Sequence, residues 1–202
     1  AVESYHWGGR RTYISRLARW SGRQDLHLVA WVEPGSPAQL SLAAQGVETH
    51  ARPSFAGERW MREHDIQLVQ TDGYAFELAT MAQRAGIPHL FRLGAIPELG
   101  VRHYHPDQSR ALALALTTLS QAQVCPSRFI ASHLLHAQVI LNGVDVRVLR
   151  PQAKPWGPCV AMLGHWLPAK RHQDFIQAAR LLRSAFPQAR FHLWAGPYFW
   201  PE

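Results

Sequence analysis

Two segments that combine glycine with basic side chains are the part of this sequence best suited to chemistry. Each follows an apolar run and opens a stretch with helical periodicity: Trp7-Gly8-Gly9-Arg10-Arg11-Thr12 and Gly164-His165-Trp166-Leu167-Pro168-Ala169-Lys170-Arg171. A helix N-terminus is electropositive, so a cation placed there costs about 0.3–1 kcal/mol. A bound anion reverses that sign, because backbone N–H groups and basic side chains then attract it together. Each pair of cations alone is equally typical of solvated side chains, but the repeated pattern favours an anionic ligand.

Neither segment has the spacing of a common nucleotide-binding motif. The sequence has no G-x-G-x-x-G after a predicted strand, which disfavours a dinucleotide site, and no G-x-x-x-x-G-K-[ST], which excludes a P-loop. No spacing indicates a Ser-His-Asp or Cys-His nucleophile, and Cys125 directly precedes a proline.

Four further polar residues are candidates for a binding cleft. Asp72 and Tyr74 follow an apolar run, where they could line a cleft, although an N-cap role for Asp72 is the favoured interpretation. His103 and His105 have a spacing seen in metal sites, but only Asp107 accompanies them. We therefore predict no metal site there, and the two histidines could instead face an acceptor from their loop.

Composition limits the function classes. The chain has 21 Lys plus Arg against 14 Asp plus Glu, a net charge of +7, and only Lys154 and Lys170 are lysines. The arginines are scattered, which is more typical of a solvated surface than of a nucleic-acid interface, so we predict no nucleic-acid partner. No apolar stretch approaches the ~20 residues of a membrane span. The N-terminus lacks a secretory pattern, and two cysteines in runs read as buried strands suit a reducing compartment, so we expect a cytoplasmic protein.

Short apolar runs alternate with longer segments of helical periodicity. The predicted strands cover residues 2–4, 26–32, 47–50, 66–71, 89–93, 123–125 and 139–141, and the predicted helices cover 10–21, 37–45, 55–64, 74–85, 108–120 and 127–135. This alternation is typical of βαβ units and predicts an α/β fold with a doubly wound, Rossmann-like parallel sheet. Ligands of such sheets bind beyond the carboxyl ends of the strands, where both glycine-containing segments lie.

Local signals support several boundaries. Gly86 and Pro88 predict a helix end with a C-cap glycine, and Ser127 predicts an N-cap. Asn142-Gly143 predicts a turn that tolerates left-handed dihedral angles.

A second domain begins after a proline-rich segment. Residues 151–158 hold three prolines and no periodicity, which predicts a linker after a domain of residues 1–150. A strand at 159–163, a helix at 172–186 and a strand at 190–194 then restart the alternation, in a second Rossmann-like domain of residues 159–202. Because one βαβ unit cannot bury both faces of a sheet, we expect this second domain to be incomplete.

The order of several short motifs resembles a known family. They are Gly8-Gly9, Gly86-Ile87-Pro88, Cys125-Pro126-Ser127, Asn142-Gly143-Val144-Asp145, and Met162-Leu163-Gly164 followed by Lys170-Arg171. In order and spacing, over the whole chain, they resemble the GT-B, family 4-type (group 1) retaining glycosyltransferases. The most specific is the Asn-Gly-Val-Asp segment, which looks like the one that joins the two domains in that family.

The resemblance implies transfer of a sugar, with retention of configuration, from a nucleotide-diphosphate donor to a glycan, lipid-linked or small-molecule acceptor. It makes residues 1–150 the acceptor-side domain and 159–202 part of the donor domain, and it implies no cofactor and no metal. Basic side chains and a helix N-terminus would stabilise the leaving group. The implied residues are Lys170 and Arg92 in catalysis; Gly8, Gly9, Gly164, His165, Lys170 and Arg171 at the donor phosphates; and Arg10 and Arg11 on the acceptor side. By their positions in the sequence, Asp72, Tyr74, His103 and His105 are further acceptor-side candidates.

The sequence departs from the family pattern at three places. His165 stands where the family usually has an arginine, and a histidine is only partly charged at neutral pH. The family commonly has a histidine near the position of Gly94, where this sequence offers Arg92 nearby. The paired glutamates that hold the donor sugar and ribose in the family would lie beyond residue 202, so we expect a fragment or a natural truncation of a longer enzyme. A non-catalytic module that binds a phosphorylated or glycan ligand stays open, as does peripheral association with an anionic inner membrane surface.

Overall fold

The structure, a computed structural model, describes residues 9–22, 24–51, 57–95, 106–151, 153, 157–166 and 168–196. The chain forms two compact units, Ala1–Gly143 and Val144–Glu202. The predicted strand at residues 2–4 lies outside the described residues, as do parts of the predicted linker at 151–158, and the domain boundaries stay a prediction.

The first unit alternates helices and strands as the sequence predicts. Its elements are α1 Gly9–Ser21, β1 Val29–Trp31, α2 Pro37–Ala43, β2 Glu48–His50, α3 Gly57–Glu63, β3 Val69–Asp72, α4 Phe76–Ala85, β4 His89–Arg92, α5 Pro106–Thr118, β5 Ala122–Cys125, α6 Arg128–Ala131 and β6 Gln138–Val139. Helix α6 is shorter than predicted: it ends at Ala131, and the residues up to His136 form turns and bends.

All strand pairs in the described part of the chain are parallel. Strand β1 pairs with β2, and a four-stranded sheet has the order β3-β4-β5-β6. The register places Asp72 at the end of β3 directly opposite Arg92 at the end of β4. Parallel pairing therefore brings the carboxyl ends of β3 and β4, and the side chains they carry, to one edge of the sheet.

Capping residues fix several helix ends. Ser127 has extended dihedral angles and its hydroxyl accepts from the Ile130 N–H, which confirms the predicted N-cap of α6. Gly86 ends α4 in the left-handed region with φ 73°, and its N–H bonds back to the last turn of the helix, which confirms the predicted C-cap. These ends position the strands that follow.

The core of the four-stranded sheet lies where α4, α5 and α6 cover β4 and β5. Its fully buried members include Phe91 of β4, Ala79 of α4 and Leu116 of α5. Burying one such large apolar side chain contributes about 1.5–3 kcal/mol. This packing holds β4, and with it Arg92, in a fixed position.

The second unit contains one βαβ arrangement in its described residues. Strand β7 Cys159–His165 pairs in parallel with β8 Arg190–Gly196, and between them lie a 3₁₀ turn at Pro168–Lys170 and helix α7 His172–Leu182. Cys125 is buried, as predicted, but Cys159 is exposed. The prediction of a buried Cys159 was wrong because the residue begins the first strand of a two-stranded sheet. Among the described residues, no helix has both the length and the apolar character needed to cross a membrane.

Candidate functional site

A buried ion pair joins the carboxyl ends of β3 and β4. The Arg92 guanidinium donates from Nη1 to Asp72 Oδ2 at 2.7 Å, and the two side chains are 7% and 2% exposed. The backbone supports the pair, since the Gly73 N–H donates to the Arg92 carbonyl at 3.0 Å. A charge this deeply buried persists only when a partner compensates it, and Asp72 supplies that compensation.

Two further elements close around the same guanidinium. Arg92 Nη2 donates to Asn142 Oδ1 at 2.8 Å, and the guanidinium carbon lies 3.8 Å from the centroid of the Tyr13 ring. Asn142 follows β6 and Tyr13 belongs to α1, so one arginine links four segments that are distant in sequence. The Tyr13 hydroxyl in turn accepts from the Gln70 amide at 3.2 Å.

Two sequence interpretations change at this edge. Asp72 is not the N-cap of α4, because that helix begins at Phe76, with Ala75 at the cap position and no side-chain cap hydrogen bond. Asn142-Gly143 forms no left-handed turn, since Gly143 does not have a positive φ. Instead, the Asn142 side chain binds Arg92, and the Gly143 carbonyl accepts from Arg16 of α1. Contacts across the sheet edge outweigh the local turn preferences.

Gly94 and Tyr74 border the ion pair and the core beneath it. A Cβ placed on Gly94 would be 3.5 Å from Arg92 Nη1 and 3.8 Å from Asp72 Oδ1. Gly94 has no side chain, so only backbone borders the Arg92–Asp72 pair at this position. The family resemblance would place a histidine there. Tyr74 is half-buried and packs against the apolar cluster around Phe91.

The segment from the end of β7 to the first residue of α7, called the β7–α7 loop below, brings together three of the residues assigned to donor phosphates. A Cβ placed on Gly164 would be 3.8 Å from both Cγ and Cδ of Lys170, so the lysine stem passes over the glycine. Lys170 is exposed, and it lies directly before the N-terminus of α7. Arg171 occupies the N-cap position in a left-handed conformation with φ 57°, and its Nε donates to Asp174 Oδ2 at 2.7 Å. A non-glycine residue in this conformation costs about 1–2 kcal/mol.

His172 is a member of this loop that the sequence did not single out. It is 3% exposed, its ring stacks on Trp166 at 4.9 Å with an interplanar angle of 17°, and a Cβ on Gly164 would be 3.8 Å from its Nε2. That nitrogen has no hydrogen-bond partner among the described residues. Buried polar atoms almost always have a hydrogen-bond partner. An unpaired one beside a helix N-terminus therefore indicates a candidate ligand position. The sequence signal for His172 is its position as the first residue of a predicted helix, directly after two cations.

The remaining predicted site residues are described in part or not at all. Gly9 is the first residue of α1, and Arg10 and Arg11 lie in its first turn, but the description does not extend to their side chains. The same holds for the side chain of His165, the last residue of β7. Gly8, His103 and His105 lie outside the described residues.

Comparison with known proteins identifies the fold. No family model matches the sequence, and no curated protein matches it. Among solved structures, the chain is similar to MurG of Acinetobacter baumannii, a glycosyltransferase with the GT-B fold, at a TM-score of 0.55 and 13% sequence identity. The alignment covers 96% of this chain and 66% of the MurG chain, so this chain spans just under two thirds of that structure. The parallel α/β architecture and this likeness together show that the chain has a Rossmann-like fold of the GT-B type.

Proposed function

We propose that this protein is a glycosyltransferase that moves a sugar from a nucleotide-diphosphate donor to an acceptor with retention of configuration. The GT-B fold supports the proposal, and one observation carries it: Gly164, Lys170 and His172 converge at the N-terminus of α7. Glycine, an exposed ammonium and a helix N-terminus form a site suited to a diphosphate.

The proposed chemistry follows from where negative charge develops. When the bond between the sugar and the diphosphate breaks, the leaving phosphate gains charge that nearby positive groups stabilise. The Lys170 ammonium and the N–H groups at the start of α7 would supply this stabilisation, and Gly164 allows a phosphate to approach the backbone. Protonated at Nε2, His172 would add a hydrogen-bond donor. The step requires no metal ion.

We assign the acceptor to the first unit. Asp72 and Arg92 hold the ends of β3 and β4 together, at the edge where parallel α/β sheets bind ligands. Since Asp72 compensates its charge, Arg92 would act by positioning the site and not as a cation directed at substrate. The net charge of +7 suits an acceptor anchored in an anionic membrane surface on the cytoplasmic side, such as a lipid-linked glycan.

A non-catalytic binding module is the second candidate. The observation that favours it is the same ion pair, because Arg92 is the basic residue nearest the position of the family histidine and its charge is already compensated. Such a module would bind nucleotide sugars or phosphorylated glycans without turning them over.

Slow donor hydrolysis, followed by NMR, separates the two candidates. The chain is incubated with UDP-, GDP- and ADP-sugars, and the anomeric proton of the first product formed is observed. Release of a sugar with the donor's anomeric configuration, lost in Lys170→Ala, supports the transferase. Binding of a donor without any release of sugar supports the module, and an inverted product overturns the retaining assignment.

A further inference from the structure

A second cluster of polar side chains lies on the first unit, outside the Arg92–Asp72 pair. Glu48 and His50 alternate along β2, which places them on the same face of the strand, and His64 directly follows α3. Each of the three residues offers a potential ligand atom, and these atoms all lie within 4.8 Å of one another. The sequence gives no sign of this cluster, because only the fold brings His64 close to Glu48 and His50.

Both carboxylate oxygens of Glu48 contact a histidine. Oε1 lies 2.5 Å from His50 Nε2, and Oε2 lies 2.9 Å from Nε2 of His27. These two contacts hold the carboxylate of Glu48 in one orientation beside His50. An oriented carboxylate with an imidazole on its outer oxygen is the arrangement that supports ligands in metal sites.

His64 has a defined tautomer. Its Nδ1 lies 2.9 Å from the Trp60 carbonyl oxygen, which can only accept, so the ring proton of the neutral imidazole resides on Nδ1. The lone pair is therefore on Nε2. Trp60 also fixes the ring, because it stacks on His64 at 4.0 Å with an interplanar angle of 19°, and its edge contact with His50 is 4.9 Å. Both imidazoles are thus oriented by the same aromatic side chain.

We propose that Glu48, His50 and His64 bind one divalent transition-metal ion of the zinc class. Two imidazoles and one carboxylate form a ligand set used by mononuclear zinc sites that keep a position open for water or another ligand. Imidazole ligands disfavour Mg²⁺ and Ca²⁺, which prefer oxygen. Ligand bonds of about 2.0–2.2 Å separate ligand atoms in a tetrahedral site by about 3.3 Å. Small side-chain rotations reach this separation, because the Glu48 and His50 side chains are 37% and 30% exposed.

The proposed ion would join strand β2 to the residue that follows helix α3. Coordination replaces the hydrogen bond between Glu48 and His50 and ties β2 to the end of α3, while His27 continues to hold the outer oxygen of Glu48. The role is separate from sugar transfer, which uses the β7–α7 loop. The two proposals therefore stand or fall independently.

Cobalt titration of the tag-free, chelator-stripped chain tests the proposal. Co²⁺ bound to imidazole and carboxylate ligands at a site of low coordination number absorbs visible light strongly, and Zn²⁺ competition then reports the affinity for zinc. We expect one equivalent to bind, Zn²⁺ to displace it, and excess Mg²⁺ to leave it in place. Glu48→Gln and His64→Gln should each weaken binding more than ten-fold, and His27→Gln should weaken it about ten-fold, as supporting residues do.

His133→Gln is the matched control, because it removes an exposed histidine that lies outside the cluster. It should leave cobalt affinity unchanged, and unchanged circular dichroism of each metal-free variant shows that the substitutions preserve the fold. The absence of saturable binding, or equal losses in His133→Gln and His64→Gln, would overturn the proposal. If the glutamate and histidine variants fail to fold, displacement of bound Co²⁺ by Mg²⁺ in the unaltered chain would overturn it as well.

Discussion

At the residue scale, Arg92 is a charged side chain that holds neighbouring groups in place instead of taking part in chemistry. Its guanidinium bonds to Asp72 and Asn142 and lies against the Tyr13 ring. A buried ion pair contributes little net stability over an apolar pair of the same shape, yet it fixes one geometry. The strand ends that border the proposed acceptor site therefore depend on a set of contacts around one arginine.

Asp72→Asn should destabilise the first unit by about 3–5 kcal/mol, because it leaves the buried Arg92 charge without a counter-ion. Chemical denaturation, read as the free energy of unfolding, measures the effect. Glu63→Gln is the control: it breaks the exposed Arg59–Glu63 pair, and such solvent-screened pairs contribute little to stability. A loss below 1 kcal/mol for Asp72→Asn would mean that the Arg92 charge is not compensated by Asp72.

His89 makes stability depend on pH. Its ring is buried against the Thr71 hydroxyl at 2.8 Å, and burial lowers its pKa, partly opposed by the Leu119 carbonyl. Since the folded pKa lies below the unfolded value of about 6.5, the fold holds the neutral ring. The contribution is complete above about pH 6.5 and is lost as the pH falls through the lowered pKa, at up to about 1.4 kcal/mol per pH unit.

Thermal unfolding between pH 7.5 and pH 5 tests this dependence. We expect the melting temperature of His89→Gln to fall less steeply with decreasing pH than that of the unaltered chain. His136→Asn, at an exposed histidine with φ 61°, keeps a residue that tolerates the backbone conformation and should retain the full slope. Parallel slopes for all three proteins would contradict the role given to His89.

At the element scale, apolar periodicity predicted the helices and strands that the structure describes, with ends within a few residues. Signals that act over one turn, such as Gly86 and Ser127, were confirmed because nothing competes with them locally. Asp72 and Asn142 misled the sequence interpretation for the opposite reason. Their capping and turn preferences lose to Arg92, a partner that only the folded sheet brings near.

Gly86→Ala should destabilise the chain by about 1–2 kcal/mol through backbone conformation alone. Gly86 has φ 73°, and a Cβ placed there would meet no heavy atom within 4 Å, so no steric contact contributes. Gly143→Ala is the matched control, since a Cβ there is equally free but φ is not positive, and its effect should be within about 0.5 kcal/mol. Equal effects at the two glycines would contradict the left-handed C-cap.

At the scale of the whole molecule, alternation of strands and helices was enough to predict a parallel α/β fold, and the likeness to MurG shows its GT-B type. The β7–α7 loop was also visible in the sequence, because its glycine and cations lie in one short segment, residues 164–171. The Arg92 contacts and the Glu48–His50–His64 cluster were not, since their members come from elements separated by loops and helices. Sequence patterns thus locate a site within one βα unit and miss a site assembled from several.

On the proposed function, the start of α7 binds the diphosphate of a sugar donor. Calorimetric titration of the chain with UDP, GDP and ADP tests it most directly, with Lys170→Ala and Arg183→Gln as a matched pair. Each variant removes one positive charge, at opposite ends of the same helix. We expect saturable binding of at least one of the three nucleotides, weakened more than ten-fold by Lys170→Ala and unchanged by Arg183→Gln. No binding at millimolar nucleotide, or equal weakening by both variants, would contradict it.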